Sequence, residues 1–388
     1  MASRGEQSKK TQQEQLEQLM QRFQDVNEYF IRKVARQIRA IGELSPSSAH
    51  IIAVMAAMTE DIADINRKLA QALELAIGDL YRLYEDVLND TYHDPRFERA
   101  LHETPLSDLD KRRLEHYAQV ISRQTAGTMQ NLSNTTAISQ TYRGSVDKAI
   151  LAVSSGMTDY KAATRKSVRE LGRSGIQILY ESGYHRRLDT AIRQNVLDGA
   201  NQLAQNASIM MGEQLGYDAY EISAHAHSAP DHEPVQGRVF LKDEFAKMQN
   251  GEPFADTDGN HYDGFRRPIG EWNCMHIVMS FSTRYSKRRY SNGQLQSWKG
   301  DNAKGCDVDG KHMSLYEASQ YMRKIETDTR REKDAAIAAQ AAGDSDLREQ
   351  CQKRIDSLAD TYTMVAKASG LTPRRDRMRV EGFRRMKR

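Results

Sequence analysis

Leu16, Leu19, Phe23, Val26, Phe30, Val34 and Ile38 recur at spacings of three and four near the start of this 388-residue chain. That period puts one apolar stripe along a helix, predicted here over residues 11–41. A helix of some thirty residues is about 45 Å long and cannot cover its own stripe, so partner helices must. Gly42 and the Ser45-Pro46-Ser47-Ser48 cluster end it, and a second helix is expected from there to about residue 88. Met55, Met58, Ile62, Ile65, Leu69, Leu73 and Ile77 form its stripe. Stripes of this kind are ordinary packing surfaces and carry no chemistry.

Residues 89–105 hold two prolines, two histidines and mixed charges and read as a connecting loop with a helical turn. Helix resumes at Leu106 and thins into the Thr- and Asn-rich residues 129–140, where a hinge is expected. Residues 142–220 read as shorter helices broken at Gly156, Gly172, Gly175 and Gly183, with Thr158 able to cap a helix start. Ile192, Val196, Ala200 and Leu203 share one face there.

Composition sets outer limits. Hydrophobic residues make up 39% and charged residues 28%, with a mean hydropathy of −0.73, which describes a polar, helix-leaning globular chain. The longest apolar run, IIAVMAAM over residues 51–58, falls far short of the roughly 18–20 residues a membrane span requires. The N-terminus has charge but no apolar core, so no secretory signal is expected and synthesis is expected in the cytoplasm. Cys274, Cys306 and Cys351 are too few and too scattered for a disulfide framework and fit a reducing compartment.

Charge is distributed unevenly. The net charge is +3, yet the last eighteen residues, LTPRRDRMRVEGFRRMKR, hold eight Lys or Arg against Asp376 and Glu381. That arm is +6, which leaves −3 on the other 370 residues. Eight cations exceed what capping a helix end requires. A phosphate backbone or an acidic protein surface is an expected partner, through Arg374, Arg375, Arg377, Arg379, Arg384, Arg385, Lys387 and Arg388, with a solvated helix end as the alternative.

Residues 221–281 leave the helical register. They concentrate His225, His227, His232, His261, His276, Cys274 and Trp272 among turn residues. His232-Glu233 opens like a zinc-protease helix, but Pro234 breaks the helix and Gln236 stands where the second histidine belongs. No paired CxxC, phosphate loop or GxSxG turn is present. Asp256, Asp258 and Asn260 alternate like the start of a calcium loop, yet His261 replaces its glycine and Arg267 its final glutamate, so a turn is expected. His225, His232, Cys274 and His276 remain as a soft-metal set that zinc would accept; a metal-free, packed or hydrogen-bonded cluster is the expected state, with no cofactor, and zinc is the alternative. Residues 235–240 (VQGRVF) and 276–281 (HIVMSF) are expected as short strands.

The order SAHAHSAPDH, QGRVF and RPIGEWNCMH resembles the core of the tailed-phage minor capsid proteins of the minor capsid protein 2 type, more distantly related to Mu F-like head-morphogenesis proteins. Downstream, CDVDGKHMSLYEASQYMRKIETDTRREKDAA and GLTPRRDRMRVEGFRR are similar to that family's hairpin, Tyr-Glu-Ala helix and basic C-terminus. His225, His232, Gln236, Gly237, Asn273, Cys274 and His276 match its pattern. His227-Ser228-Ala229 and Val235 depart from it, standing where the family commonly has Gly-Ala-Arg and a Trp.

The resemblance implies a structural, non-enzymatic minor component of a phage head. It would be portal-associated, face the capsid interior and be present in several copies. It would meet portal, capsid or scaffold proteins and, through the arm, packaged DNA, serving head assembly or DNA packaging and ejection. Its location would be the virion, with host cytoplasm during assembly and no membrane. The other reading of the His/Cys segment is a small metal-dependent hydrolase or nuclease module delivered with the genome.

Independent of the resemblance, Asp309-Gly310 signals a two-residue hairpin. Ser314 and Glu317 form a capping box for a helix over residues 315–341. A second helix is expected over about 347–368, stopped by Gly370. The expected fold is therefore mostly α, in four parts: long N-terminal helices (1–141), a helical middle (142–220), a compact α+β His/Cys module (221–290), and a C-terminal part with hairpin, two helices and basic arm (291–388).

Overall fold

A computed structural model describes residues 4–42, 48–154, 160–264, 269 and 276–386. Among them the chain is mostly helical. In order it forms α1 (Arg4–Gly42), α2 (Ser48–Tyr92), α3 (Pro95–Glu103), α4 (Asp108–Asn134), α5 (Ile138–Ser154), α6 (Tyr160–Ser174), β1 (Gln177–Leu179) and β2 (His185–Arg187). There follow α7 (Leu188–Gln214), β3 (Ala219–Ile222), β4 (Val239–Leu241), α8 (Lys242–Gln249), β5 (Phe254–Ala255), β6 (His261–Tyr262) and β7 (Val278–Phe281). The chain ends with α9 (Asn292–Lys304), β8 (Cys306–Val308), β9 (Lys311–Met313), α10 (Leu315–Ala341), α11 (Ser345–Ser369) and a 3-10 turn at Arg375–Met378. None of these helices is long and apolar enough to cross a membrane.

The α1 stripe is buried from Leu16 to Ile38 as its period requires. In α2 the stripe begins differently. Val54 is buried and Met55 is half exposed, because the helix presents the neighbouring row there. Residues 89–105 contain more helix than a single turn: Asp94 accepts the Arg96 amide at 3.0 Å and Pro95 starts α3, the preferred arrangement of a carboxylate N-cap before proline. Residues 129–140 stay helical to Asn134 before the chain restarts at Ile138. Gly156, Thr158 and Cys274 lie outside the described residues.

Two compact units divide the chain, each assembled from separated stretches. The first takes residues up to Gln15, Leu80–Thr125 and Val196–Ser319. Phe97, Leu106, Leu114, Ala207, Met211 and Tyr217 make one apolar cluster there. Phe97 and Tyr217 stack at 5.4 Å, and the buried Tyr217 hydroxyl donates to the Arg96 carbonyl at 2.7 Å. The same unit holds the small sheet, with β3 central and antiparallel to both β4 and β7, pairing Tyr220 with Phe240 and Ile222 with Val278. Ile222, Val235, Phe240, Met248, Phe254, Ile269 and Val278 form its core.

The second unit takes Leu16–Asp79, Ala126–Asn195 and Gln320–Arg388. Polar cross-links tie its long helices: Lys33 pairs with Asp61 at 2.7 Å, the Tyr142 hydroxyl donates to Asp61 at 2.7 Å, and Arg22 pairs with Asp79 at 2.7 Å. Residues 177–187 form an antiparallel hairpin, with Ile178 opposite Arg186, where helix was expected. Ile176, Ile178 and Leu188 are buried there, and the Ile176 amide donates to Asn27 Oδ1 at 2.8 Å. At its heart Arg187 donates to Asp334 at 2.7 Å and pairs with Asp189 at 3.2 Å.

At the C-terminus the local signals translate directly. Asp309 and Gly310 take φ of 48° and 74° and join β8 to β9, the left-handed pair a two-residue hairpin requires. The Ser314 amide donates to Glu317 at 2.8 Å and the Glu317 amide to Ser314 Oγ at 3.2 Å, closing both sides of a capping box. Asp344 caps α11 through the Leu347 amide, and Gly370 at φ 70° stops it.

Candidate functional site

Among the described residues, 223–237 fold as a strap closed over the end of the β3 strand. Ser223 receives two links from the return strand. Its amide donates to the Ile277 carbonyl and its Oγ accepts the Ile277 amide, both at 2.8 Å. The Gly237 amide returns to the Ile222 carbonyl at 2.9 Å. Gly237 has φ of 66°, and a Cβ there would sit 2.7 Å from a Leu295 methyl, so only glycine closes this turn. Between these ties, residues 229–236 wind into helical turns that carry His232 inward.

Three histidines meet inside. The His225 ring stacks on His276 at 4.8 Å and 24°, and His232 meets His276 edge-on at 5.2 Å. His232 is 0% exposed and His276 4%. Their Nδ1 atoms lie 3.3 Å apart. Gln236 Oε1 accepts the His225 amide at 3.1 Å and faces His276 Nε2 at 3.4 Å. An amide oxygen held by a backbone N–H can only accept, which suits a His276 proton on Nε2. Ser228 Oγ lies 3.4 Å from the same Nε2 and 3.4 Å from the Ala229 carbonyl, accepting from one and donating to the other. Asp231 stands 3.9 Å from His232 Nε2. His227 has φ of 65°. Burial, and then the neighbouring His225, push its imidazole below the usual histidine range.

Sequence reasoning named His225, His232 and His276, and the fold brings these three together; Cys274 lies outside the described residues. Among the described residues no group of three or more His, Cys, Asp or Glu is placed to hold a metal ion. Ser228 and Asp231 carried no signal, since a lone Ser or Asp in a turn has none. A rigid support was also illegible: Glu233 accepts from the buried Asn302 at 3.0 Å, and Asn302 accepts the Tyr316 amide at 2.9 Å. The calcium-like stretch is a turn, in which Asp256 accepts the amides of Asp258 and Asn260 and the Tyr262 hydroxyl. Val235, where the family commonly carries Trp, is buried in the module core.

The basic arm is docked along the second unit. The Arg374 amide donates to the Tyr362 hydroxyl at 2.8 Å, which itself donates to Glu326 at 2.8 Å. Arg330 and Lys333 donate to the carbonyls of Arg377 and Met378, each at 2.7 Å. Arg32 reaches the Gly382 carbonyl at 3.2 Å, and Lys333 lies over the Phe383 ring at 5.2 Å. Arg377 lies 3.9 Å from Glu326 and Arg385 2.8 Å from Asp356. Arg374, Arg375, Arg379 and Arg384 are exposed, and Lys387 and Arg388 lie outside the described residues. The arm thus rests on both basic side chains, which take its carbonyls, and the acidic Glu326 and Asp356, which face Arg377 and Arg385.

Residues 9–364 match the family of phage minor capsid protein 2, and the chain belongs to that family. The matched span contains the whole strap and ends before the basic arm. A structural role in the phage head, and a place in the virion, follow from that membership. Comparison with curated proteins and with solved structures gives no match.

Proposed function

We propose that this minor capsid protein sits at the portal, faces the capsid interior in several copies, and touches packaged DNA through its C-terminal arm. In this reading the long helices pack against portal, scaffold or capsid proteins or against sister copies, and the protein serves head assembly or DNA packaging and ejection. The observation that carries it is the docked arm, where Arg374, Arg375, Arg379 and Arg384 stand exposed on a folded support. A held arm presents its charges without the ordering cost a loose one meets on binding.

Deleting the arm would also remove the buried Met378 and strip Arg330 and Lys333 of their carbonyl partners, so charge replacement is the cleaner test. Arg374, Arg375, Arg379 and Arg384 replaced together by Gln should weaken retention on duplex DNA at low salt. The slope of log affinity against log salt should flatten by up to about 0.9 for each phosphate no longer neutralised. Retention and slope unchanged from wild type would defeat the DNA-binding reading.

A further inference from the structure

The loop from β7 into α9 carries a second concentration of positive charge. Residues 282–304 hold Arg284, Lys287, Arg288, Arg289, Lys299 and Lys304 against Asp301 alone, a net of +5. Its backbone is anchored along its length within the first unit. The Ser282 amide donates to Ser286 Oγ at 3.0 Å, the Ser286 amide returns to the Ser282 carbonyl at 2.9 Å, and Ser282 Oγ accepts the Tyr285 amide at 3.2 Å. The Thr283 amide donates to Asp218 at 2.9 Å and the Arg289 amide to the buried Glu221 at 2.7 Å. The ordering cost of this loop is therefore met on folding, before any partner arrives.

Arg288 is turned inward, pairing with Asp258 at 2.7 Å and donating to the Gly237 carbonyl at 3.1 Å. Arg284, Lys287 and Arg289 are exposed, and among the described residues none has a carboxylate within ion-pairing distance. Arg289 acts on Asp94 and Glu221 only at longer range. The Tyr285 ring packs against the Phe97 and Tyr217 cluster. It carries the Arg284 guanidinium over its face at 4.9 Å and that of Arg99 at 5.7 Å, which orients both. Arg99 is partly neutralised by Glu103 at 3.5 Å. No large apolar side chain is exposed among residues 282–304, whereas a protein partner needs an apolar or aromatic anchor at the centre of its interface. A phosphate backbone needs only cations at fixed positions.

We propose that Arg284, Lys287 and Arg289 form a second contact with the phosphate backbone of duplex DNA, in the first unit and separate in sequence from the C-terminal arm. The choice of DNA rests on the reading of an interior-facing head protein; the row of anchored cations stands without it. Such a contact reads no bases and weakens steeply with salt.

Binding of the full-length protein to a short labelled duplex across a salt series tests this. Arg284→Gln, Lys287→Gln and Arg289→Gln together should weaken binding about tenfold or more at low salt and flatten the slope of log affinity against log salt by up to about 3. Thermal unfolding should stay at the wild-type midpoint, since all three side chains are exposed. The same charge removed elsewhere in the first unit, by Gln at the exposed Lys111, Arg112 and Arg123 of α4, should leave the slope near wild type. A weakened loop variant beside an unchanged arm variant would fault the arm and uphold the loop. Three results would overturn the proposal: a loop variant that binds as wild type, equal losses from the loop and α4 sets, or polyglutamate displacing the duplex as well, charge for charge, as unlabelled DNA does.

Discussion

The two units bury polar chemistry in different ways. In the second unit, buried charges come as opposite signs: Arg187 is shared by Asp189 and Asp334, and Glu332 is met by Arg173 at 3.0 Å and Arg169 at 3.5 Å. The first unit has such pairs as well, Arg96 with Glu221 at 3.7 Å and Arg238 with Asp256 at 3.8 Å, but its strap also buries imidazoles, which carry no fixed charge. Paired charges of the first kind hold helices in register but are poor at taking up anything else. Imidazole nitrogens of the second kind can serve as donor or acceptor. Function in this molecule is therefore sought in the strap and on the basic arm, and not in its most heavily charged interior.

That contrast can be broken experimentally. Arg187→Met leaves two buried carboxylates without their common partner and should cost about 3–5 kcal/mol by denaturant unfolding; a loss under 1 kcal/mol would show that the pairing is not structural. Burial and the neighbouring Asp189 leave Asp334 pushed up to about 6, although Arg187 opposes the shift. Burial acts the same way on Asp189, but there Arg187 outweighs it and holds the carboxyl below the usual range. With Asp334 above its unfolded value near 4, the native state binds the extra proton between about pH 4 and 6, so this residue adds stability as pH falls through that window. The difference in stability between wild type and Asp334→Asn should therefore change across pH 4–6 and flatten above it. A flat difference throughout would contradict the assignment.

Smaller effects sharpen the contrast between strap and helices. Gly237→Ala meets both a positive φ and the Leu295 methyl, and should destabilise the first unit by about 1–3 kcal/mol, seen as early loss of amide protection in β3, β4 and β7. Ser314→Ala removes one half of a capping box and should cost about 1 kcal/mol. Arg385→Gln cuts an exposed pair with Asp356 and should change stability by no more than about 0.5 kcal/mol.

How much was legible in the sequence follows the range of the interactions. The C-terminal hairpin, the capping box and both ends of the α10–α11 pair could be read because their signals lie within a few residues, as with Asp309-Gly310, Ser314-Glu317 and Gly370. Val239 and Phe240 of β4 and the β7 strand could be read from their apolar pattern, but residues 235–237 form a turn and not strand, and the central β3 was not legible. The β1–β2 hairpin was missed because Gly175 and Gly183 look like helix breaks, and its strands are three residues each. At the strap, three histidines were legible as a cluster, but Gln236 as the group that links the His225 backbone to the His276 ring was not. That role depends on a backbone amide eleven residues away in the chain. The arm's charge was evident, whereas its docking rests on Tyr362, Arg330 and Lys333, whose partners are distant in sequence.

Cross-linking mass spectrometry of purified, DNA-filled heads tests the account most directly. The chain should be present at a constant copy number per virion, with cross-links joining its lysines to the portal. Its absence from filled heads, with the protein found only in assembly intermediates, would contradict a structural place in the virion.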